Sequence, residues 1–143
     1  MTDSPIVDET TAFGARVAAH LRDDAVVWFT TVSPSGTPMP SVVWFHWDGG
    51  REVLMFSKES TRTRNLAANP RVALNFRGDR LGNDVVVLTG EARIDPSAPP
   101  AHQTPGYREK YADHVAGLPA TPEQFAAEYH VAVKITLTGL RGF

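Results

Sequence analysis

The chain has 143 residues, 42% of them hydrophobic and three of them Trp, enough to bury the core of one domain, so a single domain over 1–143 is expected. A formal charge of −2 and a pI near 6.2 give no global attraction to nucleic acid or to an anionic membrane, so any anion site has to be a local basic cluster. The absence of cysteine excludes disulfides, thiolate metal sites and thiol nucleophiles, and with no signal peptide or apolar run of about 18 residues the expectation is a soluble, cytoplasmic protein.

Taken in chain order, the stretch at 8–24 spaces Phe13, Val17, Ala18 and Leu21 as one face of an amphipathic helix, with Asp and Thr at its start. A β-branched and aromatic run at 25–32, the turn residues Ser33-Pro34-Ser35-Gly36, a second run at 39–47, Asp48-Gly49-Gly50 and a third run at 51–57 read as a β-meander. A short helix follows at 60–69. Two further strands at 71–76 and 84–94 flank a Gly-rich loop at 77–83. A Pro-rich connector at 95–106 leads to two helical pieces, at 107–115 and 122–129, and the last strand spans 130–143. Six short antiparallel strands with small helices form a mainly β chain that hides its sheet edges by closing, fully or partly, into a barrel.

The chemistry concentrates in residues 56–76, FSKESTRTRNLAANPRVALNF. Cations in the first turn of a helix oppose its partial positive charge, so Arg62 and Arg64 there call for something negative. Ser60 or Thr61 is the N-cap candidate. The hydroxyls of Ser57, Ser60, Thr61 and Thr63, with Lys58, Arg62 and Arg64 beside them, form either a phosphate cradle or a solvated basic helix face, and spacing alone does not choose between these.

The run STRTRNLAANPRVALNF resembles the phosphate-binding turn, helix and following strand of the pyridoxamine 5′-phosphate oxidase-like split-barrel flavoproteins, and the similarity extends from the first helix to the terminal strand. Within that superfamily the chain most resembles the actinobacterial branch that uses the deazaflavin coenzyme F420, with FMN-binding branches as the alternative. The resemblance implies a six-stranded antiparallel split β-barrel and a homodimer that builds each cofactor site from two subunits. It also implies a phosphate held by Ser60 and Arg62, with Lys58 at the strand end and Arg64 nearby. Thr61 stands where FMN-oxidase relatives often carry Arg. Strand residues Ser41, Val42, Val43 and Trp44 would run along the ring and offer backbone groups to its pyrimidine edge, although pattern alone makes them an ordinary buried strand. Arg64, Arg77 and Arg80 are candidates to line a groove for an anionic tail.

The activity so implied is hydride transfer between coenzyme F420 and a small conjugated substrate. Two readings compete with it: a module that binds F420, FMN or haem without turnover, and an interaction barrel whose arginines meet an acidic protein. Tyr107 and Tyr111, at i and i+4, either cover the pocket or pack as a helix face. His20, His46, His102, His114 and His130 lack metal-site spacing, so no metal is expected, and no catalytic residue is assigned.

Overall fold

The computed structural model describes residues 4–143. Helix α1 (Ala12–Asp23) starts at Thr11, whose Oγ1 accepts from Gly14 N at 2.9 Å, and it buries Val17, Ala18 and Leu21. The strands are β1 (Val26–Val32), β2 (Pro38–Trp44), β3 (His46–Trp47), β4 (Glu52–Ser57), β5 (Arg71–Asn75), β6 (Val86–Ile94) and β7 (Val131–Gly142). Helix α2 (Thr61–Ala68) links β4 to β5, while α3 (Pro105–Ala116) and α4 (Pro122–Glu128) fill the excursion between β6 and β7.

All seven strands lie in one antiparallel sheet ordered β2-β1-β5-β6-β7-β4-β3. β2 and β3 are consecutive in the chain, separated only by Phe45, yet they sit at opposite ends of that order. The sheet therefore curls until its two edges meet at Phe45, which makes it a split barrel. The expected single strand at 39–47 is thus two strands, and the count is seven rather than six. The reason is local: the backbone groups of Phe45 leave the ladder for α3. Its N–H donates to the Tyr111 hydroxyl at 2.8 Å, and its C=O accepts from Lys110 Nζ at 3.0 Å.

Alternation fills the barrel. Val27 and Phe29 of β1, Val53 and Met55 of β4, and Val133, Ile135 and Leu137 of β7 all point inward and are almost completely buried. Each such side chain contributes about 1.5–3 kcal/mol of transfer free energy. β7, paired with both β4 and β6, is an interior strand. At the bulge by Thr89 and Gly90, a Cβ on Gly90 would lie 2.7 Å from the carbonyl oxygen of Thr136, so only glycine lets β6 approach β7 there.

A second apolar cluster sits outside the barrel, where Phe56, Tyr107, Tyr111, Phe125 and Ala126 pack over the seam with Trp44 against them. Gly106 permits this docking: a Cβ there would meet the His46 ring at 2.4 Å. Trp44 stacks on Tyr111 with centroids 4.5 Å apart and planes 3° from parallel.

Candidate functional site: a cavity between the edge strand and Arg62

β2 pairs with β1 on one side and forms the edge of the sheet on the other, so its free edge carries backbone donors and acceptors outside the ladder. Facing it is a cavity of about 480 Å³, lined by Val42, Val43, Trp44 and Phe56 of the sheet, by Arg62, by Tyr107 of α3, and by residues 118–120, Phe125, Glu128 and Tyr129. That size suits a small-molecule site.

Arg62 is placed by α2, whose own position is fixed by buried Asn65: its Nδ2 donates to Thr31 Oγ1 of β1 at 3.1 Å. From the first turn of α2 the guanidinium reaches across the seam. Its Nε donates to Ser41 Oγ of β2 and an Nη to Ser57 Oγ at the end of β4, each at 3.0 Å. Both partners are neutral hydroxyls. Burial pulls the Arg62 pKa below its ordinary value, opposed by the Tyr129 phenol, and among the described residues no carboxylate pairs with it. A half-buried cation held by hydroxyls and lacking a counter-ion is a site for an anion.

Ser60 caps α2 only in part. Thr63 Oγ1 accepts from Ser60 N and donates to Ser60 O, both at 3.0 Å, but Ser60 Oγ is buried with no hydrogen-bond partner. This orphaned hydroxyl beside Arg62, at the turn whose N–H groups it leaves uncapped, fits a phosphate oxygen.

The expected site residues divide. Arg62 lines the cavity with Val42, Val43 and Trp44, Ser41 and Ser57 bind its guanidinium, and Ser60 lies two residues before it, outside the lining. Val43 is 7% exposed with its side chain in the barrel core, so it offers a ligand only backbone, while the Trp44 ring is committed to Tyr111 and Phe125. Thr63 is occupied in the cap. Thr61 Oγ1 accepts from exposed Arg64 at 3.2 Å. Arg64 is placed apart from this cavity: two residues from Arg62 on a helix is about 200° of rotation, and Arg64 lines a different cavity with Glu59, Asp95 and His130. Lys58 does not reach the cavity as a free cation either, because Nζ lies 2.6 Å from Glu128 Oε1.

Arg77 and Arg80, in the 77–83 loop after β5, are exposed and lie outside the residues that line this cavity.

The tyrosine pair separates by role. The Tyr111 hydroxyl, which accepts from Phe45 N, sits 2.7 Å from the Ala25 carbonyl oxygen and 2.9 Å from that of Phe45, so Tyr111 staples the seam. Tyr107 is 3% exposed, and its hydroxyl makes no hydrogen bond among the described residues. Desolvation first, then Tyr111 and Tyr129, push its pKa up, so near neutrality it stays a proton-bearing donor at the cavity wall. The parts that the sequence reading missed, Phe56, Phe125, Glu128 and Tyr129, come from segments far apart in the chain, whereas Tyr107 was one of the two tyrosines expected to cover the pocket or pack as a helix face, and it lines the wall. Their one signal was the aromatic spacing of the two helical pieces.

Of the histidines, His20 bonds Asp24 and Asp84 through its two ring nitrogens, at 2.8 and 2.9 Å. No group of three His, Cys, Asp or Glu side chains able to hold a metal occurs among the described residues. Nor is any helix among them long and apolar enough to cross a membrane.

Fold and site together define a split barrel of the kind that holds a flavin-type cofactor. The chain belongs to the pyridoxamine 5′-phosphate oxidase family, whose model matches residues 13–142. Among solved structures it is similar to an F420 reductase, at 24% identity over 86% of this chain and 94% of that one, with a TM-score of 0.66. It is also similar to a FAD-binding protein from Mesorhizobium loti, at 14% identity over 88% of each chain and a TM-score of 0.63. HutZ, the haem storage protein of Vibrio cholerae, aligns at 15% identity over 92% of this chain and 95% of its own, with a TM-score of 0.60. At these identities the likeness establishes the shared fold. No curated protein matches the chain.

Proposed function

We propose that this protein is an oxidoreductase that binds coenzyme F420 and exchanges a hydride between it and a small conjugated substrate. The observation that carries this reading is Arg62: a half-buried guanidinium without a carboxylate, opposite a free strand edge. Two features favour F420 over FMN: Thr61 at the position where FMN-oxidase relatives often carry Arg, and the likeness to an F420 reductase.

Bound there, the deazaflavin would supply the hydride chemistry. The chain's own residues bind and orient. Arg62 would hold the phosphate by charge-assisted hydrogen bonds, with Ser41 and Ser57 orienting its guanidinium and Ser60 Oγ adding a hydroxyl at the start of α2. The backbone of Val42 to Trp44 offers its edge to the polar rim of the ring, and Phe56 and Phe125 exclude water from it. Tyr107 supplies an uncommitted O–H at the wall. Exposed Trp28 and Val42, neighbours in the β1–β2 register at 41% and 45% exposure, with Val26 two residues from Trp28 on the same face, support a homodimer that covers this face.

Side-by-side titration with F420 and FMN at low and high salt tests the assignment. F420 is expected to bind more tightly, and tighter binding of FMN at both salt concentrations rejects F420 in favour of FMN. Arg62→Ala is expected to weaken F420 binding by about 1.5–3 kcal/mol, the range for hydrogen bonds to a charged group. Arg64→Ala, on the other face of α2, is the control and should leave affinity within about 0.5 kcal/mol. Equal losses in the two variants would reduce the effect to general surface charge.

A further inference from the structure

Lys58 lies one residue beyond Ser57, which holds Arg62, yet its ammonium is drawn away to Glu128 at 2.6 Å and lies 5.2 Å from the centroid of the Tyr129 ring. Glu128 is the last residue of α4, where a carboxylate opposes the helix dipole, so this residue is a poor choice for the helix itself. It also lines the same cavity as Arg62. Both members of the pair are about half exposed, at 52% and 54%, so the contact is weak enough to break on ligand binding. α4 has only seven residues and is anchored by buried Phe125 and Ala126, with exposed Glu128 at its end.

We propose that Glu128 is an intramolecular competitor for the cofactor's phosphate: it occupies Lys58 until an anion at Arg62 takes that cation over. This rests on the phosphate assignment above. A ligand phosphate gains Lys58 only by displacing the carboxylate. Glu128 therefore lowers affinity for any anion that recruits Lys58. It is a residue that tunes affinity and takes no part in the chemistry.

The test is a double-mutant cycle with coenzyme F420 as the titrant. Glu128→Gln is expected to tighten binding about two- to fivefold, the scale of an exposed ion pair, and the variant should fold because it removes an unfavourable helix-end charge. In a Lys58→Gln background the same change should have no effect. Unchanged affinity in Glu128→Gln overturns the proposal. So does a gain that persists without Lys58, since that would show direct repulsion of the phosphate. Arg62→Ala, measured alongside, separates the two assignments. Full affinity there counts against the phosphate site itself. Weakened binding there, with no effect of Glu128→Gln, counts against the competition alone.

Discussion

The inside of the barrel and the flank over its seam are both apolar clusters, but they are held together differently. Inside, Phe29, Val133, Ile135 and Leu137 carry no polar atom and are not exposed, so packing alone defines them. On the flank every large ring but Phe56 and Phe125 has a polar tip: Trp44, Tyr107, Tyr111, Tyr129. Directional bonds decide that region, most of them converging on Phe45. Where a tip or cation is left without a partner, as at Tyr107 and Arg62, the flank presents a cavity. The barrel supplies rigidity, and the flank supplies the chemistry.

Breaking the barrel should cost most. Ile135→Ala removes a fully buried side chain from the interior strand β7 and is expected to destabilise by about 2–5 kcal/mol in urea unfolding. F420 affinity measured well below the midpoint should hardly change, and a large loss of affinity would show that core and site are coupled. The seam comes next. Tyr111→Phe keeps the ring stack but leaves Phe45 N–H buried without its acceptor, an expected loss of about 1–3 kcal/mol. A loss below about 0.5 kcal/mol would mean that the seam closes by packing, like the barrel.

The smallest effect is a slope. Burial, against the opposing pull of Asp24 and Asp23, brings the Lys110 pKa from 10.5 down to about 8, with Nζ 3.6 Å from the Phe45 ring centroid. Between pH 8 and about 10.5 the unfolded chain keeps a proton that the folded chain has released, so this residue makes stability rise with pH across that window. Comparing wild type with Lys110→Met by urea unfolding at pH 7.5, 8.5 and 9.5 isolates the contribution. The wild type should gain on the variant as pH rises, and a constant difference would place Lys110 in solvent.

Much of the barrel was legible in the chain. Period-two burial in β1, β4 and β7, the turn at 33–36 and the N-cap at Thr11 follow from local preferences, so element type and order were readable. Phe45 was not: nothing in VVWFHW distinguishes a continuous strand from one broken at its middle, because the break is made by Lys110 and Tyr111, 65 and 66 residues away. In the site, the hydroxyls around Arg62 were readable as a cluster, since Ser57, Ser60 and Arg62 are close in the chain.

The sequence by itself determined the β-rich alternation, the basic turn at 57–64 and the family, because these rest on local propensity and motif. Only the tertiary structure decided which cations are available. Helical rotation sends Arg64 to another cavity, Arg77 and Arg80 lie in a loop that does not line this one, and Glu128 takes Lys58, so among the described residues Arg62 is the cation that lines this cavity without a carboxylate partner. The physical reason is that charge pairing acts over a few ångströms, and only folding brings residues 58 and 128 to that distance.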